Sequence, residues 1–273
     1  MPDADEPRPP QGDWLGTPFL RFERRGSIAV CRVDRPHRRN AMTPAMYFGV
    51  RYAVDLVNGD DDLAGMLLTG SGDVFIPGGD LGGQNVDGWA DLPRLLGMDN
   101  TPFEAIRLSR KPVVCAVNGL AQGGGMMMAM LADVAVASDR ATFRAPELFR
   151  GIADTNYGQI LPRQIGPARA RDMLLTGRVV TAAEAEDWGL VARVVPHDEL
   201  FDRAGEVLAW CCRTAPKARA DVKRVMDLFY GTYDRMAMDA SLSSDEPVEG
   251  FLAFKERRNP SWVPPELRGE GRI

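Results

Sequence analysis

Two glycine-rich segments, each set behind an apolar run, hold the residues of this chain best suited to chemistry. The first is Phe75-Ile76-Pro77-Gly78-Gly79-Asp80-Leu81, after Gly65 to Gly70. The second runs from Asn118 to Gly125, after Pro112 to Val117. Glycine lets the backbone turn sharply and lets a ligand come close to its N–H groups. Two such turns brought together would aim two main-chain donors at one oxygen and so stabilise an oxyanion. The second segment continues into Met126 to Leu131, an apolar stretch that predicts a buried helix. The N-terminus of that helix would add partial positive charge at the same place. Taken singly, each cluster also reads as an ordinary turn after a strand. A dinucleotide or phosphate loop fits poorly, because no Gly-x-Gly-x-x-Gly follows the first strand and no Gly-Lys-Ser/Thr occurs.

The chain has 273 residues, enough to bury a full core in one large domain or in a domain with an appendage. A net charge of −5 argues against a nucleic-acid surface. No apolar run reaches membrane-spanning length, and no apolar signal core opens the chain, so no membrane partner is expected. The cysteines Cys31, Cys115, Cys211 and Cys212 lack metal spacing and are expected as reduced thiols in a cytoplasmic protein. His37 and His197 are the only histidines, which removes most Ser-His and Cys-His catalysis and leaves no metal-ligand spacing. No metal or resident cofactor is expected. One basic cluster, Arg35-Pro36-His37-Arg38-Arg39, reads either as a solvated turn or as a receptor for a phosphorylated ligand.

The elements that must position the glycine turns can be followed along the chain. Residues 1–17 read as a mobile tail of acidic residues, proline and glycine. Phe19 to Phe22 and Ile28 to Val33 predict a hairpin around Arg25-Gly26. Thr43-Pro44 starts a helix, with Met46, Val50, Ala53, Val54 and Val57 on one face and Gly59 at its end. Strands at 65–69, 112–117 and 134–137 follow, with a less readable stretch at 82–107 that holds a helix over about 92–97 or 101–109. This alternation implies an α/β core. Pro167 opens a helix, Thr181 to Glu184 forms a capping box, and Leu190 to Val195 reads as a strand. Pro216 starts a helix with Val222, Val225, Met226 and Phe229 on one face, and Val248 to Arg257 reads as a last amphipathic helix. The helical end serves as a lid, as an oligomer contact or simply to complete the core.

These residues together resemble the crotonase (enoyl-CoA hydratase/isomerase) superfamily, from about Phe19 to Pro260. Asp34-Arg35-Pro36 with Asn40-Ala41 resembles its entry motif. The two glycine clusters resemble its two oxyanion loops, and Phe143-Arg144-Ala145-Pro146-Glu147 its Pro-Glu catalytic turn. Leu174, Thr176-Gly177, Ala185 and Trp188-Gly189-Leu190-Val191 resemble a later signature, and Phe254, Arg258 and Pro260 the closing pattern. The resemblance implies a crotonase-like spiral of ββα units over 18–196 and a C-terminal helical trimerisation region over 197–273. It implies a homotrimer or a dimer of trimers, and an acyl-CoA substrate in which coenzyme A is part of the substrate. By position, the N–H groups of Gly79 and Gly124 would hold the thioester oxygen. Arg35, Arg38 or Arg39 would meet the CoA phosphates, with Arg257 reaching in from a neighbouring subunit. Gly78, Asp80, Gly123 and Met127 complete the expected substrate-binding set.

The chain departs from the superfamily's hydratases at one of their two glutamates. The second is present as Glu147, but the first position is Met127, which takes no proton. The stretch after the Pro-Glu turn, Gly151 to Tyr157, is altered and one residue shorter. It carries Asp154, which is either the cap of a turn or a second acid in the site, as in dienoyl-CoA isomerases and a hydroxyacyl-CoA hydrolase branch. A dehalogenase of the superfamily needs a Trp at position 147 and a His within 82–110, and both are missing here. Glu147, assisted by Asp154, is expected as the acid/base. Moving a proton between carbons needs one good base, which favours double-bond isomerisation over two-carboxylate hydration. Thioester or C–C bond hydrolysis is the first alternative, and acyl-CoA binding without turnover the second.

Overall fold

A computed structural model describes residues 9–80, 102–231, 235–265 and 268. Leu20–Arg25 (β1) and Ile28–Val33 (β2) form the expected antiparallel hairpin. Helix α1 (Pro44–Gly59) follows, with Thr43 accepting the Met46 N–H and Pro44 at the first helical position. From there the chain alternates between two sheets. β3 (Gly65–Gly70), β5 (Val113–Val117), β7 (Val134–Ser138) and β10 (Arg193–Val195) extend the hairpin as parallel strands, in the order β1-β2-β3-β5-β7-β10. The short strands β4 (Val74–Ile76), β6 (Leu120–Gln122), β8 (Thr142–Arg144) and β9 (Val180–Thr181) make a second sheet in that order. β3 leads into β4, β5 into β6 and β7 into β8, so each turn of the chain gives one strand to each sheet. This is the expected spiral. α2 (Pro102–Arg107), α3 (Gly124–Leu131), α4 (Thr155–Ile165), α5 (Pro167–Thr176) and α6 (Ala182–Trp188) pack around it.

β3 and β5 are buried at every residue, because the large sheet is covered on both faces. One face carries Val33, Leu68, Cys115 and Ala137 into the main core. The other packs Val30, Leu67, Val114, Ala116 and Val136 against α7 (Leu200–Cys212) through Leu200, Ala204, Val207 and Leu208. The core therefore runs past the boundary expected at 196, since without α7 one face of the sheet would be wet.

The corner between β3 and β4 leaves backbone groups buried, and two asparagines satisfy them. Asn118 Oδ1 accepts the Gly70 N–H at 3.0 Å while its Nδ2 donates to Gly72 O at 2.7 Å. Asn40 Nδ2 donates to Ser71 O at 2.9 Å and Val74 O at 2.7 Å, and its Oδ1 accepts the Arg35 N–H at 3.0 Å. A buried backbone group left unpaired costs about 1–3 kcal/mol, so these side chains hold the corner in one shape.

Two expectations change, and one of two alternatives is borne out. Residues 9–17 are held rather than mobile: Leu15 and Thr17 are buried, and Gln11 bridges to Trp14. The strand expected over 190–195 is shorter, because Leu190 and Val191 are spent on the buried turn after the Gly189 cap. Of the helices expected within 82–107, the one over 101–109 is α2, and the one over 92–97 lies outside the described residues. After α7 come α8 (Pro216–Leu228), α9 (Arg235–Leu242) and α10 (Asp245–Glu256). Among the described residues no helix is long and apolar enough to cross a membrane.

Candidate active site

The two glycine turns meet. Met42 bridges to Gly79: its N–H donates to Gly78 O at 2.9 Å, and the Asp80 N–H donates back to Met42 O at 2.8 Å. That pattern skips the Gly79 N–H, which no described group accepts. Gly124 opens α3, so its N–H has no helical acceptor either. Gly123, just before it, has φ +53°, and a Cβ there would stand 3.6 Å from the Cα of Gly78. α3 is apolar on every side and buried almost throughout, so its start cannot swing away from this contact.

Glu147 begins a short 3-10 turn, Glu147–Arg150, that follows β8 and Pro146. A Cβ on Gly123 would come within 2.9 Å of Glu147 Oε1, so the carboxyl lies directly on the second glycine turn. Glu147 is half-buried as a residue, but its Oε2 is fully buried and has no hydrogen-bond partner. Burial, and then the charge of Asp154, push this carboxyl well above the usual range. Asp154 caps α4, its Oδ1 accepting the N–H groups of Asn156 at 3.0 Å and Tyr157 at 3.3 Å. Its own carboxyl is also pushed up by burial, against the pull of those two N–H groups. Asp154 is thus both a helix cap and an electrostatic neighbour of Glu147.

Several residues that hold this arrangement were invisible to motif reading. The Tyr157 hydroxyl donates to Gly123 O at 2.5 Å and fixes the second turn from behind. Ser241 Oγ of α9 accepts the Ala153 N–H at 2.8 Å and donates to Gly151 O at 3.3 Å, which ties down the loop between the two acids. Tyr47 of α1 reaches Gly124: a Cβ there would stand 2.6 Å from its hydroxyl oxygen. The one available signal was a polar tip, Tyr47, on an otherwise aliphatic face of α1.

The expected substrate contacts divide. Arg35, expected at a phosphate, is instead buried and committed to Asp80 at 2.6 Å, to Ala41 O at 2.9 Å and to the Phe19 ring. It clamps the first glycine turn to the corner at 40–42. Arg38 and Arg39 are exposed, with no ion pair to any described residue, and remain open to an anion. Arg257 is exposed at the left-handed C-cap of α10. Met127 is 2% exposed within α3 and brings no acid.

Comparison with known proteins shows what the chain as a whole is similar to. Residues 23–264 match the family model described as enoyl-CoA hydratase/isomerase. A carnitinyl-CoA dehydratase of Salmonella arizonae is 35% identical over 266 residues, covering 89% of this chain and 97% of the relative. The crystal structure of an enoyl-CoA hydratase/isomerase from Pseudoalteromonas atlantica superposes with a TM-score of 0.76 at 28% identity, over 90% of this chain and all (100%) of that one. A monofunctional enoyl-CoA isomerase from M. smegmatis superposes with a TM-score of 0.67 at 30% identity, over 84% of this chain and 100% of that one.

Proposed function

The chain belongs to the enoyl-CoA hydratase/isomerase family of the crotonase superfamily, and from that premise we propose that it moves the double bond of an enoyl-CoA thioester. The observation that carries the proposal is the Glu147 carboxyl lying on the Gly123 turn while a buried methionine occupies position 127. One base then serves both carbons. Glu147 carboxylate takes a proton from C2 of a 3-enoyl thioester, and the electron pair moves through the carbonyl to its oxygen. The N–H groups of Gly79 and Gly124, free of other acceptors, hold that oxygen in the dienolate. Glu147, now protonated, returns the proton at C4 and leaves the conjugated 2-enoyl thioester. Its raised pKa suits both halves of the step, because a base near neutrality gives the proton back readily. Arg38 and Arg39 are the arginines free to meet the CoA phosphates.

Asp154, whose negative charge raises the Glu147 carboxyl, supports hydrolysis of a thioester or C–C bond as the second reading, since two carboxyls can orient a water. The exposed apolar face of α8, with Val222, Val225, Met226 and the following Phe229, supports a trimer or a dimer of trimers. The four free thiols fit a cytoplasmic location.

One wavelength separates the reactions, because only the conjugated enoyl thioester absorbs there. A 3-enoyl-CoA should gain that absorbance on addition of enzyme. Efficient loss of the absorbance of crotonyl-CoA would mean hydration and would overturn isomerisation. Release of free CoA thiol would mean thioester hydrolysis.

A further inference from the structure

We propose that the Tyr47 hydroxyl is a third hydrogen-bond donor to the thioester oxygen, beside the N–H groups of Gly79 and Gly124. The inference rests on the acyl-CoA chemistry proposed above and adds a side chain to it. Tyr47 sits on the buried face of α1 with Met46, Val50, Ala53, Val54 and Val57. Its ring packs edge-on against Phe103, with centroids 6.1 Å apart. That packing asks only for a phenyl ring. The hydroxyl lies over Gly124, 2.6 Å from where a Cβ would stand, at the end of α3 whose N–H is free.

The residue is 9% exposed, and its hydroxyl makes no hydrogen bond to any described residue. The hydroxyl is a polar group on an otherwise apolar face, and packing against Phe103 does not require it. The nearby Tyr157 shows the contrast, since its hydroxyl is spent on Gly123 O. The Tyr47 hydroxyl is therefore an unspent donor at the start of α3, beside the residue whose N–H is free. Burial and the charge of Glu147 both push its ionisation up, so it keeps its proton and acts as a donor rather than a base. As negative charge builds on the thioester oxygen, such a donor strengthens its bond in the transition state more than in the ground state.

The test uses the full-length protein, the variant Tyr47→Phe, and hexadienoyl-CoA as a bound chromophore. Polarising the thioester carbonyl shifts its absorbance to longer wavelength. Wild-type protein should give a clear shift, and Tyr47→Phe a smaller one with binding affinity kept within about threefold. On the true substrate kcat should fall by roughly 10- to 100-fold with KM little changed. An unchanged shift and kcat in Tyr47→Phe would overturn the proposal, and so would a rise in KM alone. Phe103→Leu loosens the ring but keeps the hydroxyl. If it loses as much of the shift as Tyr47→Phe does, the role is packing and the proposal falls. If wild-type protein binds hexadienoyl-CoA without any shift, the oxyanion assignment fails and this inference goes with it. If Tyr47→Phe does not fold, 3-fluorotyrosine at position 47 keeps the ring and makes the hydroxyl a stronger donor; the shift should then grow, and an unchanged shift would overturn the proposal.

Discussion

α3 and α8 are both helices with many apolar residues, and the chain treats them in opposite ways. α3 is buried on all sides, and its start is fixed by Gly78, Glu147, Tyr47 and Tyr157. α8 has no buried residue at all, and Val225 and Met226 are 58% and 64% exposed. A single chain thus buries one apolar helix on every side while leaving the apolar face of another without cover. An apolar face on a stable helix is a surface for another copy or another protein, since water gives it nothing. Charges placed on the two helices should therefore have different consequences, and so should changes to the residues around each.

The largest expected effect lies at the α3 end. Glu147→Gln keeps the shape of the acid but removes its proton chemistry, so turnover should fall by about 10²–10⁴-fold. Retention of full activity would break the site assignment outright. Next is Gly79→Pro, which removes one N–H donor. Activity should fall by about 10²–10³-fold with CoA-ester binding largely kept. Gly79 is the cleaner position for this test, because any Cβ at Gly124 would also strike Tyr47. A folded Gly79→Pro protein with wild-type turnover would remove Gly79 from the oxyanion pair.

At α8 the expected change is in assembly rather than chemistry. The double variant Val225→Asp with Met226→Asp adds charge where nothing is buried within the chain. Light scattering at micromolar concentration should show a trimer or hexamer for the wild type and smaller species for the variant, with the far-ultraviolet helix signal preserved. A wild type that is monomeric would break the comparison, since the α8 face would then be exposed in solution too.

The same contrast explains what motif and pattern could deliver. β3, β5 and β7 are legible because strands covered on both faces read as unbroken apolar runs. The glycine turns are legible because few other residues permit their geometry. β4, β6, β8 and β9 are two or three residues long, too short to carry any period, so the second sheet was legible through the resemblance alone. α7 does show a helical stripe, at Leu200, Ala204, Val207 and Leu208, but a stripe does not say which surface it covers. Arg35 and Asp80 are 45 residues apart, and only the fold shows that they pair. Nothing short of the fold brings Tyr47 to Gly124 either. Glu147 was legible by resemblance, and its burial follows from Gly123 having no side chain.

The smallest expected effect is at Asp154, and it separates the two roles that residue holds. Asp154→Asn keeps an N-cap acceptor for Asn156 and Tyr157, so α4 should survive, whereas Asp154→Ala should cost about 1 kcal/mol of stability through the lost cap. The negative charge of Asp154 is one of the two causes that push Glu147 up, so Asp154→Asn should let that carboxyl ionise at lower pH. Proton abstraction needs the ionised form, and the acid limb of kcat should therefore move to lower pH, with only a severalfold change on the plateau. The stability consequence has the same origin. A carboxyl raised in the folded state holds a proton that the unfolded chain has released, so its contribution is fully present below the ordinary carboxylate range. It is lost as pH rises through the raised value, at about 1.4 kcal/mol for each pH unit that separates the folded and unfolded values. Glu147→Gln has no proton to lose. Its melting temperature should match the wild type below the ordinary carboxylate range and exceed it increasingly as pH rises from there toward the raised value, and Asp154→Asn should show a smaller gain over the same window. Parallel melting curves for wild type and Glu147→Gln across that window would mean that Glu147 ionises normally, and the link between its burial and its chemistry would be lost.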